Sequence, residues 1–126
     1  LMWANVWFVI WPAQKIVIQS VTQAAHGGQA IPEAAALGAR AAIVSRTNVL
    51  FSVPMLFFMG AASHLPLEVA LEASLGLLSL ILALLFVLVE LNALKGKMGP
   101  MATVKGVIHL GILFTVLLYG IMEMML

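Results

Sequence analysis

The stretch LEVALEASLGLLSLILALLFVLVELNAL, residues 67–94, carries only Glu68, Glu72 and Glu90 as charges, all toward its ends. A helix needs about 20 apolar residues, at about 1.5 Å each, to cross about 30 Å of hydrocarbon. This run meets that length, and the rest of the chain has the same character. Hydrophobic residues make up 63% of the sequence, charged residues 9%, and mean hydropathy is +1.14. Soluble domains average about 45–50% apolar and about 25% charged. Too few charges exist to cover a water-exposed surface, so lipid is the expected solvent. Cysteine is absent, which excludes disulfides, thiolate metal sites and thioether-linked haem within these residues. No basic patch points to nucleic acid.

Working outward, VKGVIHLGILFTVLLYGIMEMML from Val104 onward is a second full-length span, and RTNVLFSVPMLFFMGAASHL, residues 46–65, is a third. Pro54 lies in the middle of the latter. It removes an amide donor opposite the Leu50 carbonyl, so a kink is expected, with Ser52 placed to help satisfy the freed group. The first apolar stretch has only eleven residues before Pro12. It reads as a partial span whose upstream part lies outside the sequence, with Pro12, Gln14 and Lys15 marking its exit from the bilayer. His26-Gly27-Gly28 signals a turn, and the alanine-rich residues 32–45 read as a helix begun by Pro32 and Glu33, lying at the interface or leading into the second span. The expected architecture is all-α. Residues 1–126 form one integral membrane bundle of four transmembrane helices, the first partial, with one interfacial helix.

All six cations fall at two places. Lys15, Arg40 and Arg46 flank the first connection, and Lys95, Lys97 and Lys105 the third. The positive-inside bias then predicts residues 12–46 and 95–105 on the cytoplasmic side of a bacterial inner membrane, with residues 64–67 and the C-terminus outside.

Polar residues at membrane depth are candidate sites. Arg46, Asn48, Glu90, Asn92 and His109 sort to the inner side. There Glu90 is expected either to pair with Arg46 or a loop lysine, or to form a proton-handling pair with His109 beside a quinone or substrate. His64, Glu68, Glu72 and Glu123 sort to the outer side. They are weak metal candidates, because Pro66 interrupts the register of the first three. His64 and His109 lie too far apart in depth to share one haem iron. Trp3, Trp7 and Trp11 form an i, i+4, i+8 stripe, expected to pack against a helix or lipid, or to stack on a planar ligand. Gly111, Thr115, Tyr119 and Glu123 form a stripe of small and polar residues on the last span that favours close helix contact.

NVWFVIWPAQK (residues 5–15) and SRTNVLFSVPMLFFMGAASH (residues 45–64) resemble two stretches of the membrane region of bacterial urate hydroxylases. In that family a multi-helix N-terminal domain precedes a c-type cytochrome. The resemblance covers the chain in order, but only the later half of that membrane domain. It places Trp7, Trp11, Pro12, Gln14, Lys15, Ser45, Arg46, Thr47, Asn48, Pro54 and His64 at motif positions. It implies lipid, other membrane subunits and a c-type cytochrome as partners. No cofactor is expected within this chain, and haem or quinone only if shared with a partner. Two functions follow: an accessory or structural subunit of a larger redox or energy-converting membrane complex, not catalytic alone, or the membrane half of a cytochrome-linked urate oxidoreductase.

Overall fold

The computed structural model describes residues 1–70 and 73–126. Every regular element among them is helical. The chain begins with α1 (Met2–Ala4), a π-helical turn (Asn5–Ile10) and α2 (Trp11–Ala25), which follow one another without a break. The wide turn explains why Pro12 does not end the rod. Proline offers no N–H and crowds the carbonyl one turn back. Immediately before it the hydrogen bonding shifts register, and the Trp11 N–H donates to the Val6 carbonyl, five residues back. The helix therefore runs on through Pro12 to Ala25. It stops where glycine permits a left-handed residue. Gly27 has φ +81°, and the Gly28 and Gly27 amides donate back to Gln23 and Ala24. This is the Schellman pattern that satisfies terminal carbonyls.

α3 (Ala34–His64) decides between the two readings of residues 32–45, in favour of a lead into the span and against the interfacial helix. Residues 32–45 are not a separate interfacial helix but the first turns of the same rod that holds the span. Nothing between Ala34 and Pro54 breaks a helix strongly, and a helix once nucleated extends cheaply through alanine. At about 1.5 Å per residue the rod is about 46 Å long, against about 30 Å of hydrocarbon. Its first turns and the end of α2 form a hairpin, in which the Ile31 N–H donates to the buried Ser20 Oγ at 2.9 Å. Gly38 lies against Val17, which a Cβ there would approach to 3.3 Å.

α3 continues helical through Pro54. Ser52 Oγ donates to the Val49 carbonyl at 2.6 Å, not to that of Leu50. The Leu50 carbonyl instead faces α5 at Gly111, where an added Cβ would lie 3.4 Å from it and 2.7 Å from Val53 Cγ2. α4 (Leu75–Lys95) begins later than residue 67, capped by Ser74, whose Oγ accepts from the Leu77 N–H. A 3-10 turn (Gly99–Ala102) leads to α5 (Val104–Met125), capped by Thr103. Gly106 passes beneath the Pro100 carbonyl, close enough that any side chain would collide with it.

α3 is the central element, in contact with the first rod, α4 and α5. The core is built on Ile43, Leu50, Phe51, Met101, Val107, Phe114 and Leu118. Phe51, Phe86 and Phe114 tie three helices together, with ring centroids 5.4–6.3 Å apart. Outside the core, leucines and valines of α4 and α5 point away from the bundle. That is the arrangement of a protein whose exterior meets hydrocarbon. α3, α4 and α5 are each long and apolar enough to cross a membrane.

The glycine contacts predict a contrast. Gly111→Val should destabilise the detergent-solubilised protein by about 1–3 kcal/mol, the usual penalty for overpacking. Gly120→Val, where nothing lies within 4 Å, should leave the unfolding midpoint nearly unchanged. Denaturant titration followed by circular dichroism measures both.

Candidate functional site

The inward face of the first rod runs through Met2, Asn5, Val9, Ala13 and Ser20, opposite the tryptophans. Asn5 is 3% exposed, and its single amide nitrogen joins three helices. Asn5 Nδ2 donates to Asn48 Oδ1 of α3 at 2.9 Å and to Glu90 Oε2 of α4 at 3.1 Å. Asn48 Nδ2 donates in turn to the Met2 carbonyl at 3.1 Å. The chemistry fixes both amide orientations, since only a donor can face a carboxylate or a carbonyl. Both Nδ2 hydrogens of Asn5 are used. Among the described residues no buried side-chain nitrogen or oxygen lacks a partner.

Glu90 is thus held by the Asn5 amide rather than by the expected cation. The Arg46 guanidinium donates to the Met101 carbonyl at 2.5 Å. Arg40 Nη1 donates to the Ala93 and Gly96 carbonyls, both at 3.0 Å. The two arginines of α3 therefore staple the α4–α5 connection and the last carbonyls of α4, where a helix leaves acceptors free. Asn92 Nδ2 lies 3.4 Å from the Lys97 carbonyl in the same region. His109 is exposed, with Nδ1 2.6 Å from the Lys105 carbonyl of its own helix. No hydrogen bond joins it to Glu90 among the described residues.

Trp3, Trp7 and Trp11 are between 49% and 67% exposed and face away from the other helices. Trp3 packs on Trp7 and edge-on to Phe8, at 6.4 and 5.9 Å between centroids. Lys15 Nζ stands 5.3 Å from the Trp11 ring centre, a cation–π contact. Trp3 alone also borders a cavity of about 890 Å³ between the start of the first rod and the later halves of α3 and α5. Phe51, Phe58 and Phe86 wall the cavity, and Tyr119 stands at its side.

At the far end of the bundle, His64 Nδ1 lies 3.0 Å from the Gly60 carbonyl. Glu68 and Glu123 border a separate pocket of about 300 Å³. Residues 65–70 are not helical, so His64 and Glu68 do not share one helix face, and Glu72 lies outside the described residues. Among the described residues no group of three His, Cys, Asp or Glu side chains is placed to hold a metal ion.

The sequence reading singled out Asn48 and Glu90 but not Asn5, their common donor. A signal was there. Asn5 is a lone amide in an apolar run, on the face opposite Trp3, Trp7 and Trp11, and an isolated intramembrane amide requires a partner. The π-helical turn begins at Asn5, and such turns recur at functional positions.

The family model described as urate oxidase N-terminal matches residues 1–119, in agreement with the resemblance seen in the sequence. No curated protein and no solved structure matches the chain.

Asn5→Leu strips the donor from Asn48 and Glu90 together and should cost about 1–3 kcal/mol, within the range for orphaned buried acceptors. In an Asn5→Leu background, Glu90→Leu should cost less than it does alone. A double-mutant cycle on unfolding in detergent reads that coupling, and strict additivity would show that the bonds contribute nothing.

Proposed function

The chain belongs to the urate oxidase N-terminal family, and we propose that it serves as an integral membrane accessory subunit of a larger bacterial redox complex. The observation that carries this reading is the use of Glu90. The carboxylate of Glu90 is engaged, through Asn5 and Asn48, in joining the first rod, α3 and α4. The outward tryptophans support partner subunits, because the first rod offers a broad aromatic face to whatever lies beside it. In this reading the first rod is a fourth crossing, and the hairpin of α2 and α3 stands in the cytoplasm with residues 95–105. Residues 64–67 and the C-terminus lie on the opposite side of the inner membrane. The location of all six cations supports that orientation.

The family match itself favours a second reading, the membrane half of a cytochrome-linked enzyme that oxidises urate. On that reading a c-type cytochrome takes the electrons, since these residues contain no cysteine to attach a haem covalently. The cavity argues against urate binding there: a purine anion calls for cationic or multiple polar partners, and its walls are almost wholly apolar.

Purification of the native particle separates the readings. The first expects several membrane subunits and no urate oxidation by the isolated chain; urate-dependent cytochrome reduction by this chain alone would refute it. The absence of native cysteine allows a clean topology test as well. Single cysteines at Gln23 and Lys97 should react with a membrane-impermeant maleimide only in inverted vesicles, and one at Ser63 only in right-side-out vesicles.

A further inference from the structure

Glu90 has two carboxylate oxygens, and the bundle uses one. Oε2 accepts from Asn5 Nδ2 at 3.1 Å. The same amide cannot serve the other oxygen, because its second hydrogen goes to Asn48 Oδ1. Among the described residues Oε1 accepts from nothing. Since no buried side-chain oxygen among them lacks a partner, Oε1 opens onto the outside of the bundle. The surface around that opening is apolar. Val87 and Leu94, three residues before Glu90 and four after, lie on the same side of α4 and are 48% and 39% exposed. The chain brings no counter-charge to this point. Arg40 and Arg46 are tied to backbone carbonyls, and Lys95 is exposed at the end of α4.

A carboxylate within a span is costly unless a cation faces it. We propose, building on the accessory-subunit reading, that Glu90 Oε1 receives a lysine or arginine side chain from a transmembrane helix of another subunit, seated on α4 along Val87, Glu90 and Leu94. One oxygen then aligns helices within the chain, and the other marks where the neighbour docks. Apolar contact alone selects no partner in lipid, whose tails are as apolar as leucine. An ion pair at one depth selects both the partner and its register, because any other register leaves a charge unpaired. Glu90 lies about 7.5 Å inside the end of α4, so a cation carried by a helix reaches it where a lipid headgroup, held at the membrane surface, does not.

In the native particle, Val87 or Leu94 is replaced by p-benzoylphenylalanine, the sample is photolysed, and crosslinked peptides are identified by mass spectrometry. The adduct is expected on a membrane span of another subunit, within about one helical turn of a lysine or arginine. Glu90→Gln keeps an oxygen for Asn5 but removes the charge. It should lower the amount of that subunit retained on the affinity-tagged chain about 3–10-fold, with unchanged circular dichroism as its folding control. A particle holding this chain alone would overturn both the docking and the accessory-subunit reading. Four results would overturn the docking alone. They are adducts on lipid only, adducts on a second copy of this chain, a crosslinked span with no basic residue within that turn, and unchanged retention in Glu90→Gln, which would mean that a proton suffices for Oε1.

Discussion

One amide nitrogen sets the register of the bundle. Asn5 donates to an amide oxygen on α3 and a carboxylate on α4, in surroundings where water cannot substitute for a missing partner. Sliding the first rod by one residue would turn Asn5 toward lipid and leave Asn48 and Glu90 without their donor. Apolar packing alone would not enforce this, because lipid tails are as apolar as leucine and helices in a bilayer gain little from merely touching. The π-helical turn belongs to the same constraint. It absorbs Pro12 while keeping Asn5 and Ala13 on the inward face and the three tryptophans on the outward one.

The side of α3 away from the first rod is organised by a different chemistry. Gly111 brings α5 against the Leu50 carbonyl freed by Pro54, so a proline in one helix is matched by a glycine in the next. Further along, Arg40 and Arg46 reach from α3 to carbonyls at the end of α4 and in the 3-10 turn. Gly106 beneath Pro100 then fixes how α5 leaves that turn. α3 therefore contacts its neighbours in three ways: through amides, through a bare glycine surface and through guanidinium caps. That variety gives each neighbour a distinct place on α3, where an all-leucine surface would permit many.

The sequence conveyed the fold class plainly, because composition and span length are properties of long windows and survive local exceptions. It left element ends open for identifiable reasons. Pro12 read as the end of an apolar run, and the π turn that carries the helix past it leaves no compositional mark. Residues 32–45 read either as an interfacial helix or as the lead into the span, and the choice between them turns on the absence of a helix breaker between Ala34 and Pro54. The candidate site was legible residue by residue but not as a set. Asn48 and Glu90 stood out as intramembrane polar groups, yet their partner depended on which helices are neighbours, and one sequence does not encode that visibly.

The cations divide into two kinds with separate work. Arg40 and Arg46 are partly buried and bonded to backbone carbonyls, a task suited to a planar, multiply donating group. The four lysines are exposed. A chain threaded the opposite way through the bilayer would make the same arginine–carbonyl bonds, since those bonds lie wholly within the protein and are indifferent to which side holds the cytoplasm. They cannot, then, choose the orientation. Lys15, Lys95, Lys97 and Lys105 interact with the membrane surface and the transmembrane potential, and reversing the chain would move them to the unfavourable side. On the proposed topology the arginines shape the bundle while the lysines decide which way it faces, so exchanging the lysines for glutamine would weaken the orientation without loosening the helices.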